Sequence, residues 1–496
     1  MLDWLAHRAK ISPAKVALLF GEQSWTYAEL NQYVAEYAAK LSAYGVAAGQ
    51  HVAVLLSNRV EFVVIIHALA RLNATIVPLN IRLTAEELRW QIEQSDSRLL
   101  ICGCETEATA ADLTSHIAQT ISVDPSSPHN IASLNDISVE NLADWQARTL
   151  PLDGIQGIIY TSGTTGRPKG AMLSYHNHFL SAAASAYRLG TVANDRWLLC
   201  MPLYHVGGMA IVLRCCLYGT TVVLQNGFNE ANVRHALDHQ AVTLISVVPT
   251  MLHRLLDTSA ESLARSRLRC VLVGGAAATA ELVDRCIALN LPVATTYGLT
   301  EAASQVATAS PENVKRKPGH VGKPLMFSSL RIVDDQGQTV EAGTIGEVVV
   351  SGPTVMHGYY RQPEATAKVL NNGELYTGDM GYLDSDGDLW VVQRRADLIV
   401  SGGENVYPVE VEAVLRQHPA VDEACVFGIE DTEWGQRVAA MVVGKPGKKV
   451  SAQELMDFCR DYLAGYKLPR TILFIDALPR TASGKVRRDQ VRRQAV

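Results

Sequence analysis

Apolar runs of strand length alternate with helix-like segments in the first part of the chain. Residues 51–56 and 74–79 predict buried strands, whereas residues 27–44 and 61–71 have the apolar spacing of helices. Thr26 is a candidate N-cap for the first helix. This alternation favours an α/β fold with a doubly wound, mainly parallel sheet.

A glycine- and threonine-rich segment, residues 161–170, follows the apolar run 155–160. Glycine lets the backbone approach an anion, and hydroxyl and cationic side chains add hydrogen bonds and charge, so the segment suits nucleotide phosphates. Its spacing is not that of a Walker A loop, and residues 171–173 predict a short strand rather than a helix. A solvated surface loop is the alternative. The candidate phosphate-binding residues are Thr161, Ser162, Gly163, Thr164, Thr165, Gly166 and Lys169.

The composition restricts the class of protein. A chain of 496 residues predicts two or more domains, and a net charge of −6 without long runs of one sign favours small-molecule over nucleic-acid partners. The first ten residues lack the apolar core of a secretory signal, and no apolar run is long enough for a membrane span, so we expect a cytoplasmic protein. The nine cysteines fit no zinc or thioredoxin spacing, and we expect reduced, buried thiols.

Later segments add candidate ligand-binding positions. Residues 197–200 predict a strand, which would place His205 at a strand end, where α/β folds bind ligands; a structural histidine is the alternative. Residues 244–249, 270–275 and 293–301 predict three strands that end in small residues. The polar segment 105–147 predicts a variable stretch.

A β-rich region is predicted from residue 346 onwards. Within it, Asp379 follows a predicted tight turn, and its two carboxylate oxygens could accept both hydroxyls of a ribose. An ordinary turn aspartate on the surface is the alternative.

These motifs resemble, in type and order, those of the adenylate-forming superfamily of acyl-CoA synthetases, peptide-synthetase adenylation domains and firefly-type luciferases. The resemblance covers nearly the whole chain and implies two steps. A carboxylate attacks the α-phosphate of MgATP to give acyl-AMP and pyrophosphate, and the thiol of coenzyme A then displaces AMP. It also implies an N-terminal domain of doubly wound sheets with a β-rich subdomain, residues 1–394, and a small mobile α+β lid, residues 395–496.

The resemblance also assigns roles on the nucleotide side. It implies that Tyr297 stacks on adenine, although core packing is the alternative for this ring, and that Asp379 clamps the ribose. Thr300 would contact the α-phosphate and Glu301 would hold Mg²⁺, while His205 would border and gate the acyl pocket. The adenine slot would be completed by Gly275, Ala276 and Gly298.

On the lid side, Arg394 matches the family arginine that reaches ribose and phosphate. Gln393 and Ala396 depart from the usual hinge pattern, so the pivot residue stays open. Residues 478–485 match the catalytic lysine element almost residue for residue, which implies that Lys485 stabilises charge as pyrophosphate leaves; a solvated basic tail is the alternative. The pantetheine channel would be lined by Gly402 and Gly403.

The acid substrate is suggested by a closer resemblance. Residues 202–214, 300–305 and 401–408 resemble the subfamily of 2-succinylbenzoate–CoA ligases of menaquinone and phylloquinone synthesis. The ring carboxylate of that acid could bind bidentately to Arg214, which lies in an apolar stretch, and Ser304 is a second candidate contact. For Arg214, pairing with an internal acid is the alternative.

Three other functions stay open at this point. They are ligation of another aromatic or medium-chain acid, loading of a carrier protein, and nucleotide binding without catalysis. The sequence leaves the oligomeric state open, including a homo-oligomer.

Overall fold

The computed structural model describes residues 2–125, 127–145, 147–161, 168–276, 278–393, 398–479, 486 and 488–495. It divides into a larger unit, Met1–Ile81, Ile92–Tyr160 and Gly170–Val392, and a smaller unit, Arg82–Gln91, Thr161–Lys169 and Gln393–Val496. The boundary expected after residue 394 lies outside the described residues. Among those described, no helix has the length and apolar character needed to cross a membrane. All nine cysteines are free, and only Cys104 is exposed.

Helices and strands alternate from the beginning of the chain, as the sequence predicted. The first elements are α1 (Trp4–Ile11), β1 (Val16–Phe20), β2 (Gln23–Thr26), α2 (Tyr27–Ala43), β3 (His51–Leu55), α3 (Val60–Arg71), β4 (Thr75–Pro78), α4 (Ala85–Gln94), β5 (Leu99–Cys102), α5 (Glu107–Leu113), β6 (Gln119–Ser122), β7 (Ala132–Ser133) and β8 (Ile155–Thr161).

The predicted N-cap of α2 is confirmed. The Glu29 N–H donates to the Thr26 hydroxyl at 3.2 Å, and the Glu29 carboxylate accepts the Thr26 N–H at 2.8 Å. This capping box satisfies two N–H groups that the helix start would leave without partners.

Segment 105–147, which the sequence predicted only as a variable stretch, contains regular secondary structure. It contains α5, β6 and β7, and the two strands extend a sheet whose order is β7-β6-β5-β3-β4-β8-β9, with β9 at Lys169–Ser174. Strand β6 has one aliphatic residue, Ile121, among polar neighbours, so it lacks the continuous apolar run that predicted other strands of four residues, although Ile121 is fully buried.

A second sheet is built from the next part of the larger unit. Its elements are α6 (Tyr175–Leu189), β10 (Arg196–Leu199), α7 (Val206–Tyr218), β11 (Thr221–Leu224), α8 (Glu230–His239), β12 (Leu244–Val247), α9 (Pro249–Thr258), α10 (Ala260–Arg265), β13 (Cys270–Val273), α11 (Ala280–Ala288), β14 (Val293–Leu299), β15 (Ser304–Ala309), α12 (Pro311–Arg316) and β16 (Lys323–Pro324). The strand order is β16-β15-β14-β13-β12-β10-β11-β1-β2. The central strands are parallel and both edges are antiparallel, so the expectation of doubly wound sheets is confirmed.

The predicted β-rich subdomain completes the larger unit. It consists of β17 (Ser329–Val333), β18 (Gly346–Ser351), α13 (Pro363–Val369), β19 (Leu370–Asn371), β20 (Glu374–Leu383) and β21 (Leu389–Gln393). Its sheet runs β17-β18-β20-β19, and β21 pairs with β20.

The smaller unit has the expected α+β character. Its elements after residue 398 are β22 (Ile399–Ser401), β23 (Glu404–Val406), α14 (Pro408–Leu415), β24 (Val421–Asp431), β25 (Gly435–Gly444), α15 (Ala452–Arg460), β26 (Thr471–Phe474) and α16 (Arg488–Ala495). The described strands are ordered β23-β22-β25-β24, with β26 parallel to β25. Val411, Val426 and Leu455 are fully buried in its core, which is separate from that of the larger unit.

Candidate active site

Several predicted site residues lie at one edge of the second sheet. Strands β10, β12, β13 and β14 are parallel, so their carboxyl ends share that edge. Gly275 follows β13, Tyr297 lies near the end of β14, and Glu301 is in the 3₁₀ turn Thr300–Ala302 directly after it. The fold therefore places residues predicted to bind adenine, phosphate and the metal ion at the same edge of this sheet.

Tyr297 and Asp379 are brought together although the sequence separates them by 82 positions. The Tyr297 hydroxyl donates to Asp379 Oδ2 at 2.7 Å, and both side chains are buried. The prediction that Asp379 follows a tight turn is wrong: it lies inside β20, beside a register shift between β20 and β18. Gly378 makes this possible with φ +73°, and its N–H donates to the Glu347 carboxylate at 2.7 Å.

The Glu301 side chain is oriented by a residue that the sequence did not single out for function. The Tyr359 hydroxyl donates to Glu301 Oε1 at 2.8 Å, and the Met356 N–H donates to the Glu301 carbonyl oxygen at 2.8 Å. A fixed carboxylate at a strand end fits Mg²⁺, which is usually held by one or two carboxylates together with substrate phosphates.

The backbone beyond Glu301 is strained. Ala303 has φ +50° and Ser304 has φ +96°, values that non-glycine residues rarely adopt. Opposite them, a Cβ on Gly298 would lie 1.8 Å from the Ser304 carbonyl oxygen, so only glycine fits there. Strain of this kind is often kept at functional sites.

His205 lies beyond the strand end where the sequence placed it. Strand β10 ends at Leu199, and His205 is the half-buried N-cap residue of α7. Its N–H donates to the Pro202 carbonyl oxygen at 3.2 Å, and its ring centroid lies 4.7 Å from that of Tyr204. A Cβ on Gly208 would be 2.2 Å from the same carbonyl oxygen, which explains a glycine in this turn.

Arg214 on α7 is a buried cation without an acidic partner among the described residues. Its side chain is 2% exposed, one Nη donates to the Ser181 hydroxyl at 3.4 Å, and Nε has no hydrogen-bond partner there. The guanidinium carbon lies 5.9 Å from the centroid of the Trp197 ring. Burial lowers the pKa of the guanidinium, because the charged form is desolvated. The alternative of an internal ion pair is therefore not supported in the described part of the chain.

Two other buried cations of the chain form ion pairs with carboxylates. Arg71 in the larger unit donates to Asp3 Oδ2 at 2.6 Å. Lys467 in the smaller unit contacts the carboxylates of Glu87 and Glu410 at 2.5 and 2.7 Å. Both therefore have carboxylate partners, whereas Arg214 has none in the described part of the chain.

Ser181 connects Arg214 with the predicted catalytic turn. While its oxygen accepts from the guanidinium, its hydroxyl donates to the Ala303 carbonyl oxygen at 2.7 Å. The Arg214 guanidinium is thus two hydrogen bonds from the backbone that follows Glu301.

The candidate residues of the smaller unit are partly described. Thr161 ends β8, Lys169 begins β9, and the Thr161 hydroxyl donates to the Lys169 carbonyl oxygen at 3.4 Å. Gly402 and Gly403 lie between β22 and β23 with φ +58° and +83°, and a Cβ on Gly402 would be 2.7 Å from the Trp434 ring. The predicted residues outside the described part are Ser162, Gly163, Thr164, Thr165, Gly166, Arg394 and Lys485.

Known proteins resemble the chain over both units. Residues 5–360 match the family model described as AMP-binding enzyme, and residues 410–485 match the AMP-binding enzyme C-terminal domain. The chain is 42% identical over 493 residues to a 2-succinylbenzoate–CoA ligase of Geobacillus kaustophilus, covering 99% of this chain and 98% of the relative.

Solved structures of o-succinylbenzoate CoA synthetase (MenE) from Bacillus subtilis are similar as well. A double mutant bound to the product analogue OSB-NCoA has a TM-score of 0.92 and 40% identity, covering 99% of this chain and 98% of that one. The complex with ATP and magnesium ion has a TM-score of 0.72 and 40% identity, covering 99% of both chains. By these matches over nearly its whole length, the chain belongs to the family of AMP-binding enzymes.

Proposed function

We propose that the chain is an AMP-forming acid–thiol ligase that converts 2-succinylbenzoate to 2-succinylbenzoyl-CoA. The aliphatic carboxylate attacks the α-phosphate of ATP, pyrophosphate leaves, and the thiol of coenzyme A then displaces AMP from the acyl-adenylate. The relative named as a 2-succinylbenzoate–CoA ligase supports this reaction. The related structures with ATP and magnesium and with the CoA product analogue support the use of ATP, Mg²⁺ and coenzyme A.

The unpaired guanidinium of Arg214 is the observation that carries the choice of substrate. A buried cation without an anion is unfavourable, and a carboxylate matches the donor geometry of arginine. The ring carboxylate of 2-succinylbenzoate would supply the missing charge. A monocarboxylic aromatic or medium-chain acid would leave the guanidinium unpaired.

The nucleotide would lie along the carboxyl ends of β13 and β14. We assign Tyr297 to adenine and Asp379 to the ribose hydroxyls; the hydrogen bond between them would fix the carboxylate for this task. Glu301, held by Tyr359, would be the protein ligand of Mg²⁺, and the bound ion would neutralise phosphate charge. Thr300 would contact the α-phosphate. The remaining assignments are Gly275, Ala276 and Gly298 to the adenine slot, and His205 and Ser304 to the acyl pocket.

The chemistry needs no protein nucleophile. Positioning and electrostatic stabilisation of the transition state would suffice, because the carboxylate and the thiol are themselves the nucleophiles. In this proposal the loop Thr161–Lys169 cradles the β- and γ-phosphates, Arg394 contacts ribose and phosphate, and Gly402 and Gly403 border the pantetheine channel.

Lys485 would stabilise charge on the α-phosphate during adenylation. Lys485→Ala is therefore expected to reduce acyl-AMP formation by roughly 10²- to 10³-fold, while thioester formation from supplied acyl-AMP changes much less. Rapid-quench assays of each half-reaction measure the two effects. Equal losses in both half-reactions would contradict the assignment.

The proposal also includes the cellular setting and the domain division. The reaction would serve menaquinone or phylloquinone synthesis in the cytoplasm, with an N-terminal domain of residues 1–394 and a lid of residues 395–496. No partner chain is needed for the reaction, and a homo-oligomer is compatible with it.

The decisive experiment incubates the protein with ATP, Mg²⁺, coenzyme A and a panel of carboxylic acids, and measures AMP and thioester. We expect both products with 2-succinylbenzoate and little of either with monocarboxylic acids. Preference for another acid would point to a different CoA ligase. AMP without thioester, together with acylation of a phosphopantetheinyl protein, would indicate a carrier-loading enzyme, and ATP binding without turnover would contradict catalysis.

A further inference from the structure

The facing sides of α6 and α7 form a polar seam inside the larger unit. His178 and Ser181 are three residues apart on α6, and Arg214 and Tyr218 are four apart on α7, so each pair shares a helix face. The guanidinium of Arg214 donates to Ser181, and the Tyr218 hydroxyl donates to a carbonyl oxygen of α6. These contacts bring the two faces together.

Two nitrogen atoms on this seam are buried without a hydrogen-bond partner among the described residues: Arg214 Nε and His178 Nε2. Both side chains are 2% exposed. The two nitrogens therefore do not form a hydrogen bond with each other, in which the imidazole nitrogen would accept from the guanidinium N–H. Buried polar atoms of proteins are nearly always paired, so two such atoms on one seam indicate a ligand that supplies acceptors.

The charge of the seam restricts the ligand to a singly charged anion. Burial, reinforced by the nearby guanidinium, lowers the pKa of His178 from 6.5 to about 4, so its imidazole is neutral near pH 7. A neutral imidazole supplies one N–H donor without adding charge. The charge of the seam is then that of Arg214 alone, which one carboxylate balances; a phosphate dianion would be left with excess negative charge.

We propose that His178 determines substrate specificity by donating from Nε2 to the same ring carboxylate that Arg214 binds. This inference rests on the proposed function and adds a second recognition group to it. The tautomer with the proton on Nε2 is the one that the ligand would select. Because His178 acts on the non-reacting end of the acid, its contribution belongs to substrate binding rather than to the chemical step.

Two substitutions separate the donor from the volume of the side chain. His178→Leu removes the N–H, whereas His178→Gln keeps a neutral N–H donor at a similar reach. The measurement is KM and kcat in pyrophosphate release, with 2-succinylbenzoate and with 4-oxo-4-phenylbutanoate, which lacks the ring carboxylate. We expect His178→Leu to reduce the KM-based preference for 2-succinylbenzoate by about ten- to a hundred-fold, and His178→Gln to restore most of it.

Tyr187 offers a matched control on the same helix, because its side chain is 76% exposed. Tyr187→Ala should leave the preference unchanged. A fall in activity that is equal for both acids, or a Gln variant as unselective as the Leu variant, would overturn the assignment of His178.

The pH dependence of the unmodified protein tests the proposal without any substitution. A neutral donor predicts that KM for 2-succinylbenzoate stays constant between pH 6 and 8. The titratable groups that face His178 on this seam are Arg214 and Tyr218 of α7. A KM that rises with pH across this range would show binding by an imidazolium and would overturn the proposal. If the unmodified protein forms no AMP with 2-succinylbenzoate, the proposed function fails as well; if it does, a negative result concerns His178 alone.

Discussion

Arg214→Met is expected to separate stability from substrate recognition. In the ligand-free protein the guanidinium is 2% exposed and has no acidic partner among the described residues, so methionine would remove a desolvation cost while filling a similar volume. Replacing a complete buried ion pair by apolar groups is often neutral or stabilising by about 1–4 kcal/mol, and a buried cation without a carboxylate has no such pairing to lose. We therefore expect the free energy of unfolding to stay constant or to rise.

Substrate recognition should change in the opposite direction. Without the guanidinium, the ring carboxylate of 2-succinylbenzoate would be buried unpaired, and breaking a buried ion pair in this way costs about 3–5 kcal/mol. At about 1.4 kcal/mol per factor of ten, kcat/KM should fall by roughly two to three and a half powers of ten. For 4-oxo-4-phenylbutanoate, kcat/KM should hold or rise.

Arg71→Met is the matched control for the stability measurement. Arg71 is also buried, but its removal leaves the Asp3 carboxylate, 2.6 Å from Nε, without its cation. Urea unfolding should show a loss of about 3–5 kcal/mol for this variant. If Arg214→Met is destabilised as strongly, Arg214 has a structural partner and the reasoning is refuted. Equal losses of kcat/KM for the two acids would refute it independently.

Three further substitutions or conditions test the site and the core. Tyr359→Phe should slow pyrophosphate release by about ten-fold or more, because the Glu301 carboxylate loses the hydroxyl that orients it; an unchanged rate would contradict this. Gly298→Ala should lower Tm and adenylation together, since its Cβ would meet a carbonyl oxygen at 1.8 Å, whereas Gly227→Ala, with open space around its Cβ, should do neither. Burial lowers the pKa of His67 from 6.5 to about 4, so its contribution to stability is complete above pH 6.5 and is lost as the pH falls towards 4. Urea unfolding at a series of pH values should show the free energy of unfolding falling by up to about 3 kcal/mol over this range, and by less in His67→Gln.

The fold was predictable where local chemistry determines it. Thr26 caps α2 with a side chain that was visible in the sequence, and the predicted buried strands are continuous apolar runs. The strands β6 and β7 were missed because their sequences, Gln-Thr-Ile-Ser and Ala-Ser, lack the continuous apolar run that marks the predicted strands. The position of Asp379 was wrong because a shift in pairing between two strands depends on both of them, not on the local turn residues alone.

The site was predictable as a set of residues but not as a set of contacts. Glu301 belongs to a recognisable local motif, whereas its partner Tyr359 lies 58 positions away. His178 was not singled out, because a histidine among apolar neighbours has the same local pattern whether it is a structural residue or part of a binding site. Only the folded structure leaves its Nε2 beside a guanidinium with no acceptor among the described residues.

Buried cations show most clearly why function needs the fold as well as the sequence. Arg71 and Arg214 both lie in apolar helices, and neither has an acidic residue within four positions along the chain. Arg71 finds its carboxylate 68 positions away, and its charge is thereby used for stability. Arg214 finds none in the described chain, so the free energy of pairing is left for a ligand. This free energy is gained only when a carboxylate binds. The desolvation of Arg214 that lowers the stability of the protein therefore increases its preference for a dicarboxylic acid.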